Sequence, residues 1–175
     1  MGIANWLSLS RLVLAPATGY AILTAQWRLA ALLVILAIIS DLIDGPVARA
    51  RGEASAAGGL LDHGSDAIYV SCCLLAVAWG GYIPVLLPVL VIASFGQYVM
   101  DSSALSGQQL RSSRLGRWNG IAYFALLPCL LLPPAVFDTF LPPPLVSAVA
   151  WILITSTLVS MLDRGWTLLQ LRRHQ

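Results

Sequence analysis

The chain has 175 residues, of which 58% are hydrophobic and only 10% charged, and its mean hydropathy is +0.82. Soluble domains carry about 25% charged residues, so this composition excludes an ordinary globular protein, a disordered chain and a nucleic-acid module, and leaves a polytopic membrane protein. All ten basic residues are arginine, the formal charge is +2, and Cys72, Cys73 and Cys129 are spaced for neither a disulfide framework nor a metal set.

In chain order, Gly2 to Ser10 sets Trp6, Leu7 and Leu9 beside Asn5, Ser8 and Ser10, a pattern for a short amphipathic helix lying along a membrane surface. No convincing small-x-small cleavage site follows before Gln26-Trp27-Arg28, so a removed signal peptide is not expected. A spanning helix needs roughly 20 apolar residues. Leu12 to Ala25 and Leu29 to Ser40 are shorter runs that can extend through Arg11 or Asp41 toward the interface. Ala67 to Met100 holds 34 uncharged residues, too many for one helix, and Gly80-Gly81-Tyr82-Ile83-Pro84 supplies a turn that splits it. Trp118 to Phe137 gives a fifth span, and Thr139 to Leu162, past the break at Pro142-Pro143-Pro144, a sixth. The expected fold is an all-α integral membrane protein with six transmembrane helices and a short N-terminal interfacial helix, a single domain over residues 1–175.

Six spans place both termini on one side, where nine arginines gather: Arg11, Arg49, Arg51, Arg111, Arg114, Arg117, Arg164, Arg172 and Arg173. Only Arg28 falls on the other. The positive-inside rule makes the arginine-rich side cytoplasmic, in a membrane of bacterial inner-membrane type. Trp6, Trp118 and Trp166 on that side, with Trp27 and Trp79 opposite, suit interfacial belts; Trp151 fits no belt and is assigned to packing.

Four aspartates fall in one 26-residue window. Asp41 and Asp44, three apart, share a face near the end of the second helix; Asp62 and Asp66, four apart, share one at the start of the third. Joined by the turn around Ala50 to Gly58, these antiparallel neighbours let the carboxylates converge at the cytoplasmic edge of the hydrocarbon. One Asp in apolar surroundings costs about 2.5–3.5 kcal/mol on insertion scales, and converging carboxylates repel unless a cation neutralises them. Oxygen-only ligands suit Mg²⁺ or Mn²⁺, and a pair of divalent ions is the usual device for phosphoryl chemistry. Helix capping, or pairing with Arg49 and Arg51, is the structural alternative, but it does not require same-face pairs on facing helices. Gly45, Ala48, Gly58 and Gly59 either let helices approach closely or open a slot for a flat ring and a phosphate. Arg49, one turn past Gly45, can direct a guanidinium fork at a diphosphate.

The pattern Asp41-x2-Asp44-Gly45-x2-Ala48-Arg49-x8-Gly58-x3-Asp62-x3-Asp66 resembles the signature of the CDP-alcohol phosphatidyltransferase family at all eight fixed positions, and Asn5-x-Leu7-Ser8-x2-Arg11 resembles its N-terminal segment. The resemblance implies transfer of a phosphatidyl group from CDP-diacylglycerol to an alcohol, with release of CMP, by a homodimer. It implies that Asp41, Asp44, Asp62 and Asp66 hold two divalent ions, Mg²⁺ or Mn²⁺, against the donor diphosphate. Asp66 would also take the acceptor's proton, Gly45, Ala48 and Gly58 would pack the cytidine, and Arg49 would hold the diphosphate. Direct displacement needs only a base and charge stabilisation at the leaving group. A covalent route would need an activated nucleophile, and His63 and Ser65 face different ways on one helix.

Arg111, Arg114 and Arg117 recur every three residues. If helical, they form a basic face for the phosphate of an acceptor such as glycerol 3-phosphate or inositol 1-phosphate; otherwise they are a positive-inside loop meeting anionic lipid heads. Asp101 is assigned to a helix cap. Family members using glycerol 3-phosphate often carry a Lys- and Thr-containing run where this chain reads Gly116-Arg117-Trp118-Asn119-Gly120, which leaves the acceptor open. A small cation transporter would instead place carboxylates near mid-bilayer on broken helices, and an intramembrane prenyltransferase would show two separated acidic motifs.

Overall fold

In lipid every backbone N–H and C=O must find a partner within the chain, so long apolar runs resolve into helices. The computed structural model describes residues 3–52, 55–101 and 114–173, without the side chains of residues 3–5, 44, 48, 56, 101 and 168–173. Six helices are described: α1 Ile3–Leu23, α2 Trp27–Ala50, α3 Ala56–Trp79, α4 Leu86–Asp101, α5 Arg114–Phe137 and α6 Pro143–Arg173. No strand occurs among the described residues.

Five helices are long and apolar enough to cross a membrane. The exception is α4, whose 16 residues cover about 24 Å at ~1.5 Å per residue, less than a hydrocarbon core of roughly 30 Å. Length therefore supports five of the six expected spans. The separate interfacial helix is also revised. Ile3 to Ser10 contains neither Gly nor Pro, and the helix that begins at Ile3 runs on through Pro16 to Leu23. Its first turns are drawn into the bundle, with Ser8 and Arg11 both buried.

The ends of the helices follow local chemistry. Ser55 caps α3 by accepting a hydrogen bond from the Gly58 N–H at 3.0 Å. Gly81, at φ +80°, makes the turn after α3, in the conformation glycine adopts without a Cβ penalty. The triple proline does not precede the last helix as a break; Pro143 opens α6, because the first helical position needs no N–H and the ring pre-sets its φ.

The helices close a ring in the order α1, α2, α5, α6, α4, α3, with α3 also touching α5. Small residues set the tightest approach. A Cβ on Gly19 of α1 would meet Cys72 Sγ of α3 at 3.5 Å and Ala76 Cβ at 3.9 Å, and Ala15, Ala21, Ala30, Ala37 and Ala76 fill the core around them. Polar pairs tie the helices together: Thr18 with Tyr69 at 3.2 Å, Tyr123 with Thr157, and Ser156 donating to Asn119 Oδ1 at 2.6 Å. Leu32, Leu36, Ile92, Val159 and many other large apolar side chains point outward, the surface a lipid-embedded bundle presents. Trp151 belongs to this outer face, at 52% exposure, and not to the packed interior. At one end of the ring Trp27 stacks edge-on against Tyr82 and Phe140. The acidic residues lie at the other.

Candidate active site

Three helices deliver the acidic centre. Asp41 comes from the second half of α2, Asp62 and Asp66 from successive turns of α3, and one oxygen from each lies within 4.8 Å of the others. All three carboxylates are partly buried, at 34%, 27% and 22% exposure respectively. Oxygens around a single ion bound at 2.0–2.6 Å stand no more than about 5 Å apart, so the trio fits a hard divalent cation. Asp44 lies one turn beyond Asp41 in α2, but its side chain and that of Ala48 fall outside the described residues.

Sequence reasoning missed the third helix. The guanidinium of Arg11, from α1, is 0% exposed and sits among the carboxylates. Nη1 lies 2.6 Å from Asp41 Oδ1 and 3.0 Å from Asp66 Oδ1, while Nη2 pairs with Asp62 Oδ1. Ser8, one turn earlier on α1, donates to the same Asp62 oxygen at 3.2 Å. Among the described residues the aspartates thus pair with Arg11, not with Arg49 or Arg51. The available signal was an arginine inside an apolar stretch, since an ionisable residue within a span is by default functional. Taking Arg11 as the interfacial end of a helix concealed it.

The remaining expected residues distribute as follows. Arg49 is exposed and folds back along its helix, with Nη1 3.3 Å from where a Cβ on Gly45 would stand. Any larger residue at 45 would press on that guanidinium. Gly58 is in the first turn of α3, held by Ser55. Arg114 and Arg117 begin α5 and are exposed; Arg111 and the loop before it fall outside the described residues. A second basic residue, Arg164 of α6, places its guanidinium 4.7 Å from the Tyr98 ring centre, and Arg117 also acts electrostatically on Tyr98. Tyr98 in turn is 6.1 Å, centre to centre, from His63, whose Nδ1 is 3.8 Å from Asp62 Oδ2. A basic and aromatic group from α4, α5 and α6 therefore adjoins the carboxylates. His63 and Ser65 do not form a nucleophile–base pair: Ser65 Oγ donates to its own helix at the Asp62 carbonyl, 2.8 Å, and His63 Nδ1 lies 3.0 Å from the Gly59 carbonyl.

Apolar helices thus bring three carboxylates and a buried guanidinium together at one end of the bundle, a donor set that could hold a divalent ion. The family model for CDP-alcohol phosphatidyltransferase matches residues 1–168, and the chain belongs to that family. It is 36% identical over 92 residues to the cardiolipin synthase (CMP-forming) of Homo sapiens, covering 52% of this chain and 31% of that one. It is 31% identical over 99 residues to the cardiolipin synthase (CMP-forming) of Streptomyces coelicolor, covering 52% and 45%. Against the cardiolipin synthase (CMP-forming) / mitochondrial hydrolase fusion protein of Schizosaccharomyces pombe it is 28% identical over 156 residues, covering 78% of this chain and 26% of that one. The matches thus span less than half the length of each of these relatives. Family and relatives together make this a membrane protein of phospholipid biosynthesis.

Proposed function

We propose that the chain transfers a phosphatidyl group from CDP-diacylglycerol to the hydroxyl of a glycerol-phosphate acceptor and releases CMP. The observation that supports it most is the convergence of Asp41, Asp62 and Asp66 from two helices to within 4.8 Å in a member of this family. Divalent ions held there, Mg²⁺ or Mn²⁺, would neutralise the donor diphosphate and the developing charge on departing CMP. Two such ions would draw on Asp44 as well.

The protein's own groups divide the remaining work. Asp66 takes the proton of the acceptor hydroxyl as its oxygen attacks the lipid-side phosphorus, and the bond from that phosphorus to the CMP oxygen breaks in the same displacement. Arg49, beside Gly45, holds the diphosphate, and Gly45, Ala48 and Gly58 leave room for the cytidine. Arg117 and Arg164, beside Tyr98, with Arg114 at the start of α5, orient the acceptor's phosphate with guanidinium forks. The donor's acyl chains stay among the outward apolar faces while its head reaches the cytoplasmic edge. Six spans, with α4 crossing a locally thinned bilayer, put both termini and the site in the cytoplasm. We read residues 1–175 as one domain acting as a homodimer.

Similarity to cardiolipin synthases favours phosphatidylglycerol as acceptor, since removing one phosphatidyl group from cardiolipin leaves that lipid. Glycerol 3-phosphate presents the same glycerol-phosphate unit, and inositol 1-phosphate is the remaining candidate. Purified protein in detergent, given CDP-diacylglycerol, Mn²⁺ and each acceptor separately, separates these by the mass of the lipid product. Cardiolipin as main product identifies the lipid acceptor, and phosphatidylglycerol phosphate the soluble one. Product formed only from unphosphorylated alcohols would contradict the arginine assignment.

A further inference from the structure

The buried guanidinium at the acidic centre has a consequence for metal binding. Arg11 remains charged at any accessible pH, and it is fully buried. It draws on an oxygen of each of the three carboxylates that are grouped closely enough to ligate one ion. A guanidinium and a divalent cation cannot both use those oxygens at full strength. Asp62 Oδ1 is doubly engaged, by Arg11 and by Ser8, which leaves Oδ2 as its freer oxygen. We propose that Arg11 is a positioning residue that gathers the three carboxylates and competes with divalent cations for their oxygens, so that it sets how tightly the site holds metal. This rests on the three aspartates being metal ligands.

Two effects of Arg11 oppose one another. Gathering the carboxylates lowers the cost of assembling the ligand set, whereas a full positive charge beside an arriving divalent ion repels it. At contact distances and a protein-like dielectric the repulsion is the larger, worth more than about tenfold in affinity. Removing the charge therefore tightens metal binding and at the same time leaves three mutually repelling carboxylates in the protein without metal. A residue that merely held helices together would change stability and leave the affinity of the folded protein for metal untouched.

The test is a Mn²⁺ titration of the detergent-purified full chain, followed by the paramagnetic signal of free Mn²⁺, with thermal unfolding measured in parallel. Arg11→Met is expected to bind Mn²⁺ at least about tenfold more tightly than wild type, to unfold at lower temperature without metal, and to gain more than wild type when Mn²⁺ is added. Arg11→Lys, a point charge that reaches fewer of the carboxylates, is expected to fall between the two. Affinity equal to or below wild type in folded Arg11→Met overturns the proposal; if that variant does not fold, the same result in Arg11→Lys overturns it. Asp66→Asn is the control for ligation. A wild-type chain whose Mn²⁺ binding is absent, or unchanged by Asp66→Asn, would instead remove the metal assignment itself.

Discussion

At the scale of single residues, the proposed chemistry rests on three short acidic side chains grouped within 4.8 Å. Asp66 reaches the centre from the third turn of α3 and meets Arg11 at 3.0 Å. Its proposed role as base predicts that Asp66→Asn, nearly the same shape without the charge, lowers the rate of CMP release by roughly 10²–10⁴-fold while the helices stay folded, as circular dichroism would report. Near-wild-type turnover would remove Asp66 from the chemistry. The aspartates were legible in the sequence because three- and four-residue spacings on a helix fix a shared face. Arg11 was legible only as part of a segment resembling the family's N-terminus; its contact with the aspartates was not, because it is 30 residues from Asp41 and 51 from Asp62, and no local periodicity links positions that far apart. Arg164 escaped for a related reason: a single arginine near the chain's end reads as a membrane-interface charge until α6 is packed against α4.

At the scale of elements, the α1–α3 crossing positions the site. Gly19 is two turns along α1 from Arg11, and the space beside it is taken by Cys72 and Ala76. Gly19→Leu should force the helices apart, at a cost of about 1–3 kcal/mol for overpacking, and should lower CMP release along with the unfolding temperature because Arg11 and Ser8 retreat from Asp62. Retained stability with retained activity would show that this crossing does not fix the site. The start of α3 is a milder case. Ser55→Ala removes the cap on Gly58 and should cost about 1 kcal/mol, whereas Ser55→Asp should restore it, both measurable by thermal unfolding. Apolar runs and the Gly80–Pro84 turn located most helices correctly. The errors came at ends, where one feature admits two structures: prolines that stop one helix can start the next, and a half-polar N-terminal segment can lie on a membrane or enter a bundle. Only tertiary contacts, here those of Ser8 and Arg11, choose between them.

At the scale of the whole molecule, the ring of helices separates a polar end from an aromatic one, and leaves an apolar flank around both. In the proposed reaction that division would let a lipid donor keep its chains outside while its head group reaches the carboxylates. The proposed one-step displacement agrees with His63 and Ser65, which are engaged with their own helix and do not pair as nucleophile and base. Labelled CMP should therefore not exchange into CDP-diacylglycerol when no acceptor is present; rapid exchange would reveal a covalent intermediate. Composition alone disclosed the membrane class, but not the ring order, which depends on which small residues meet across helices.

The most direct test of the acidic centre is metal-dependent CMP release by the purified chain, compared among wild type, Asp41→Asn, Asp62→Asn and Asp66→Asn, with and without a chelator. Release should require Mn²⁺ or Mg²⁺, cease on chelation, and fall by at least about a hundredfold in each variant. Undiminished release in Asp62→Asn, or turnover that survives complete removal of divalent ions, would contradict a centre built from carboxylates and metal.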